Sequence, residues 1–236
     1  VKTVTVHASK TYDVVISRGL LAEAGARVKA VTAGSACALV TDDTVGPLWG
    51  GAVKKSLEDA GLSVCCFTFP HGEQSKNAKT YVELLEFLAE HQLTRADAVV
   101  ALGGGVVGDL AGFAAATYLR GVTLVQIPTT LLAMVDSSVG GKTAIDLTAG
   151  KNLAGAFYQP SAVLCDLDTL NTLPKEIFAD GCAEVIKYAV LRDPEILGLL
   201  VQPQENLEEL ISRCVAIKRD TVEEDERDTG ARQSLN

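Results

Sequence analysis

The chain has 236 residues, a formal net charge of −9 and 47% hydrophobic residues, enough apolar material to close a full core. The acidic balance argues against a nucleic-acid partner, which needs clustered positive charge. No apolar run approaches the roughly 20 residues of a bilayer span, and the N-terminus carries no basic region followed by an apolar segment.

Cys37, Cys65, Cys66, Cys165, Cys182 and Cys214 lack C-x-x-C spacing and mostly sit in apolar runs, so they read as buried reduced thiols of a cytoplasmic protein. Val1 to Val6 and Tyr12 to Ser17 predict a hairpin at a sheet edge. Helical spacing follows over Leu20 to Val31, a buried strand over Ala36 to Thr41, and a helix over Thr44 to Ala60 closed by Gly61. The next strand is Leu62 to Phe67, and Asn77 to Glu90 forms an amphipathic helix with Tyr81, Leu84, Leu85 and Leu88 on one face.

Val99 to Leu102 has the all-apolar pattern of a strand covered on both faces, and Gly103-Gly-Gly-Val-Val-Gly-Asp109 follows it at once. Leu110 to Tyr118 is rich in helix formers, so strand, glycine turn and helix come in the order that places phosphate at a helix N-terminus. The spacing only approximates G-x-G-x-x-G, and glycine runs also serve close packing without a ligand. A further strand runs from Val122 to Ile127. Alternating strands and helices imply an α/β fold with a parallel sheet, and ligands then belong at the C-terminal strand ends. Asp42-Asp43-Thr44, Pro70 to Lys76, the glycine turn and Pro128-Thr-Thr130 all fall there.

Between this region and the helices lies Asp136 to Asp146, then Gly150-Lys-Asn152. Gly-Gly-Lys-Thr resembles part of a phosphate-binding P-loop, but the position five before Gly141 is Asp136, which argues against a nucleoside triphosphatase. Lys142 remains a glycine-supported cation for an anionic substrate. From Ala179 onward strands stop, and Gly181 to Leu191 and Glu208 to Thr221 read as helices. A boundary near Pro174 therefore divides an α/β domain, residues 1–174, from a helical one, residues 175–236.

Six segments, in order, resemble signatures of the 3-dehydroquinate synthase family of sugar-phosphate cyclases: Pro70 to Lys76, Gly103 to Asp109, Gln126 to Thr130, Val135 to Lys142, Gly150 to Asn152 and Ala183-Glu-Val-Ile-Lys-Tyr188. The resemblance implies a Rossmann-like nucleotide-binding domain followed by an all-helical domain, with the active site between them. It implies the conversion of 3-deoxy-arabino-heptulosonate 7-phosphate to 3-dehydroquinate and phosphate, in the shikimate pathway of aromatic amino acid biosynthesis. It further implies NAD, a divalent metal (zinc or cobalt) and a homodimer.

Carried over residue by residue, NAD falls on Asp42, on His71, Gly72, Glu73, Gln74, Ser75 and Lys76, and on Gly104, Gly105, Val106, Val107, Gly108 and Asp109. Thr129, Thr130, Lys142, Lys151, Thr169, Leu170, Asn171 and Thr172 complete that set. The resemblance makes Glu184 a metal ligand and gives catalytic or substrate-holding roles to Arg120, Asp136, Lys142, Asn152, Lys187, Lys218, Arg232 and Asn236. On spacing alone Glu184 and Lys187 are an i,i+3 helix-surface pair, and Lys218 to Arg232 is a charged, solvated stretch.

The chain departs from the family at its end. The family completes its metal site with two histidines beyond a Leu-Asn pair, whereas this sequence stops at Leu235-Asn236 and His7, His71 and His91 match neither position. The expectation is a form lacking its C-terminal part, with weak metal binding and doubtful turnover. A related sedoheptulose- or hexose-phosphate cyclase, a metal-dependent glycerol dehydrogenase-like enzyme and an inactive cofactor-binding fragment remain alternatives.

Overall fold

A computed structural model describes residues 1–230. Seven strands form one sheet in the order β1-β2-β9-β6-β5-β3-β4. They are β1 (Lys2–His7), β2 (Thr11–Ser17), β3 (Ala36–Asp42), β4 (Ser63–Phe69), β5 (Ala98–Gly103), β6 (Thr123–Pro128) and β9 (Ala162–Asp166); β7 (Lys142–Leu147) and β8 (Gly150–Phe157) make a separate antiparallel ribbon. Only β1 and β2 pair antiparallel in the large sheet, so the expected edge hairpin sits on an otherwise parallel α/β sheet. The inner strand β5 is buried at every position, because helices cover both faces.

Those helices are α1 (Ala24–Val31), α2 (Gly51–Asp59), α3 (Ala78–Glu90) and α4 (Gly105–Thr117). The Asn77 side chain caps α3 by accepting the Thr80 N–H at 3.0 Å, and Gly61, at φ +81°, turns the chain after α2 as its position suggests. Two expected helices are shorter than their spacing implied. Residues 20–23 form a 3-10 turn, and the Gly46–Gly50 segment, with Pro47 between glycines, forms a wide turn before α2.

The glycine segment also differs from expectation. None of Gly103, Gly104 and Gly105 has a positive φ, and α4 begins at Gly105, five residues earlier than expected. A Cβ on Gly103 would lie 2.4 Å from Val107 Cγ2, so the missing side chain lets the strand run straight into the helix.

β9 and the β7–β8 ribbon were not anticipated. Most residues of β8 face solvent, so no apolar alternation marks that strand, whereas β7 buries Thr143 and Ile145. Ile145 packs the ribbon into the core, and the Asp146 N–H donates to the Lys76 carbonyl at 2.7 Å. After Pro174 the chain is helical: α5 (Lys175–Leu191), α6 (Ile196–Leu199) and α7 (Pro203–Glu224). Val185, Tyr188, Leu210, Ile211 and Val215 of α5 and α7 join Val4, Val6, Val14 and Ile16 in one apolar cluster, which seats these helices against the β1–β2 hairpin. Among the described residues no helix is long and apolar enough to cross a membrane.

Candidate functional site

The strand order reverses between β3 and β5: the chain moves outward from β3 to β4, then returns to the other side of β3. That switch point opens a crevice at the C-terminal ends of the two strands, where parallel sheets bind ligands. Asp42 ends β3, and its Oδ1 accepts the N–H groups of Thr44 and Val45 at 2.9 and 2.8 Å. Across the crevice α4 starts on bare backbone, since Gly104 at its N-cap has no side chain to accept first-turn N–H groups. The Thr129 N–H donates to the Gly103 carbonyl at 3.0 Å, which fixes Thr129 and Thr130 against the same turn. These features fit a pyrophosphate: unfilled donors, the positive end of a helix and no Cβ in the way. Thr169 to Thr172 follow β9 in a 3-10 turn, and Trp49 Nε1 donates to Thr172 Oγ1 at 3.2 Å. His71 pairs with Asp43 at 2.7 Å in an exposed loop, and this hydrogen bond holds the Asp43 carboxyl below its ordinary range.

Lys76, although buried, donates to Asn152 Oδ1 at 2.7 Å and Asp109 Oδ2 at 3.1 Å, with Glu73 3.3 Å away. Burial alone would lower its pKa, but Asp109, Glu73 and Asp146 outweigh that and raise it. Lys151 reaches the same Glu73 at 3.4 Å. Burial pushes the Asp109 carboxyl up to about 6 against the pull of Lys76.

Beyond this cluster lies a cavity of about 610 Å³ whose polar wall is Asp109, Asp136, Lys142, Asn152 and Lys218, with Phe157 of the ribbon on its apolar side. These residues come from α4, the 133–137 turn, β7, β8 and α7, so folding gathers side chains as far apart as residues 109 and 218. Lys142 Nζ lies 2.6 Å from Asp228. Lys218, 4% exposed, pairs with Asp136, whose Oδ1 also accepts the Tyr188 hydroxyl at 2.9 Å. Burial would raise the pKa of Asp136, yet Lys218, Tyr188 and Lys187 together hold it below the ordinary range.

Glu184 and Lys187 form an ion pair at 2.7 Å on α5. Glu184 Oε1, which is buried and makes no hydrogen bond, is the oxygen that faces the Lys187 ammonium in this pair. However, no group of three His, Cys, Asp or Glu among the described residues could hold a metal, so the expected metal site does not fit them as they stand. Arg120 is not brought to the cavity. It follows α4 and immediately precedes β6, at the opposite end of the sheet, with φ +67°. Arg232 and Asn236 lie outside the described residues. Sequence reasoning gave no role to Tyr188, Asp146 or Asp228; Tyr188 and Asp146 lie in quoted motifs, but nothing in a linear pattern marks where their oxygens point.

Comparison with known proteins bears on the whole arrangement. Residues 66–180 match the family model for the 3-dehydroquinate synthase N-terminal region, and residues 181–236 that for the 3-dehydroquinate synthase C-terminal region. The chain belongs to the 3-dehydroquinate synthase family. A 3-dehydroquinate synthase of Enterococcus faecalis is 48% identical over 232 residues, covering 96% of this chain and 65% of that protein. The chain thus spans about 65% of the length of such curated relatives. The crystal structure of 2-deoxy-scyllo-inosose synthase with carbaglucose-6-phosphate, NAD+ and Co2+ superposes with a TM-score of 0.89 at 25% identity, over 99% of this chain and 66% of that one. A 2-epi-5-epi-valiolone synthase of Streptomyces hygroscopicus with NAD+ and Zn2+ bound gives 0.85 at 29% identity, over 98% and 67%.

Proposed function

We propose that this chain carries the cofactor- and anion-binding machinery of a 3-dehydroquinate synthase, the lyase that converts 3-deoxy-arabino-heptulosonate 7-phosphate to 3-dehydroquinate and phosphate in the cytoplasm. The supporting observation is the convergence of Asp136, Lys142, Asn152 and Lys218 on one cavity beside the bare N-terminus of α4. NAD, when bound, supplies a reversible hydride acceptor at a substrate alcohol. Asp42, residues 71–76, residues 104–109, Thr129, Thr130, Lys142, Lys151 and residues 169–172 are proposed to hold it.

Lys142 and Lys218 offer fixed cations to phosphate and carboxylate, Asn152 offers an amide to hydroxyls, and Asp136 holds Lys218 in place. Lys187 adds a cation beside Asp136. Glu184 is proposed as one ligand of a divalent ion, zinc or cobalt; no group of three candidate ligands gathers around it among the described residues. Residues 1–174 carry the nucleotide on this reading, residues 175–236 belong to the helical metal and substrate part, and two chains associate as a homodimer.

Calorimetric titration of the 236-residue chain tests the reading. NAD and inorganic phosphate should both bind. Gly105→Val, whose side chain would crowd Ser137 Oγ at the start of α4, should lose NAD but keep phosphate. Undetectable NAD binding by the unmodified chain, or equal binding by the variant, overturns it.

A further inference from the structure

We infer that Tyr188 is a positioning residue for the anion-binding wall: its phenol O–H fixes Asp136, and Asp136 in turn fixes the Lys218 ammonium against the cavity. The inference rests on the reading of that cavity as an anion site.

Tyr188 is 0% exposed, the bulkiest side chain buried so completely, and it does not line the cavity itself. Its hydroxyl donates to Asp136 Oδ1 at 2.9 Å and lies 3.4 Å from the Val135 carbonyl. Lys218 Nζ reaches the same Oδ1. Three segments that share no local contact in sequence, α5, the 133–137 turn and α7, therefore meet on one carboxylate oxygen. Oδ2 accepts no hydrogen bond among the described residues, and the Asp136 side chain keeps 30% exposure. Two donors on one oxygen define the carboxylate plane, leaving the other oxygen to the cavity.

A phenylalanine would fill the same space without burying a hydroxyl, which is costly unless bonded. The group that gains from this hydroxyl is a carboxylate, and a charge-assisted bond to it is stronger than one to a neutral acceptor. Burial, with the charges of Asp136 and Glu184, raises the phenol's pKa, so it stays protonated and acts as a donor rather than as a proton carrier.

A double-mutant cycle on inorganic phosphate affinity tests this, using Tyr188→Phe, Asp136→Asn and the pair in the 236-residue chain. Tyr188→Phe should weaken phosphate binding about tenfold in the otherwise unmodified chain, about 1.4 kcal/mol, and have almost no effect once Asp136 is Asn. A role in packing alone would give the same loss in both backgrounds, and that result overturns the inference. The second readout needs no ligand: the 15N-detected ammonium signal of Lys218, protected while the ion pair is fixed, should broaden or vanish in Tyr188→Phe. If Lys142→Ala leaves phosphate affinity unchanged, the anion reading fails and the Lys218 signal alone decides; its persistence in Tyr188→Phe overturns the positioning role.

Discussion

Asp97 and Asp109 stand at opposite ends of the β5–α4 unit and illustrate two uses of a carboxylate. Asp97, at the start of β5, is 5% exposed and accepts the N–H groups of Thr94, Ser35 and Ala36 and the Thr94 hydroxyl. Burial would raise its pKa, but these donors outweigh it and lower it. Asp109, in α4, meets a buried lysine and a cavity wall, and burial pushes its carboxyl up to about 6. At the N-terminal end of the sheet a charge is answered by three backbone N–H groups and one hydroxyl and serves the fold. At the C-terminal end charges are answered by the charges of other side chains, an arrangement that a ligand can exchange.

Several measurements would break or sharpen that contrast. Asp97→Ala leaves several buried donors unanswered and should cost about 3–5 kcal/mol of stability in urea denaturation, with phosphate affinity unchanged in the folded fraction. An equal loss for Asp109→Ala would erase the distinction. Lys142→Ala should reverse the pattern: phosphate affinity falls about tenfold or more by calorimetry, while the melting temperature barely moves, because this lysine's side chain is 40% exposed.

The pH dependence follows from the raised Asp109 value. The unfolded carboxyl titrates near about 3.9, so the folded state binds the extra proton between there and about 6. The stability contributed by this group is fully present below the unfolded value and is lost as pH rises through about 6. Relative to Asp109→Asn, the unmodified chain should therefore gain about 2–3 kcal/mol between pH 7 and pH 4; a flat difference would show that Lys76 cancels the burial cost. The smallest effect is expected for His71→Ala, an exposed partner of Asp43, where denaturation curves should superpose. A clear drop in stability would make that loop structural.

Much of the α/β half was legible because its signals are local. The apolar run 99–102, closed at once by glycines, has the pattern of a covered strand, Asn77 caps α3 through a neighbour three residues on, and Gly61 ends α2 by its own conformational freedom. The β7–β8 ribbon was not legible, since β8 is mostly solvent-facing and the seat of β7 depends on Ile145 packing into the core and on the Lys76–Asp146 backbone tie, both tertiary contacts. Lys142 and Asn152 were singled out, but their shared wall with Lys218 was not derivable from spacing. Arg120 shows the converse: a matching motif position that this chain places at the far end of the sheet.

The amino-acid sequence by itself determined the parallel sheet, the glycine entry to α4 and the order of the motifs, because periodicity, capping and side-chain volume act over a few residues. Only the tertiary structure decided that Tyr188, Asp136 and Lys218 meet at one oxygen. That convergence depends on how α5 and α7 pack against the sheet, and packing joins residues that no local rule relates.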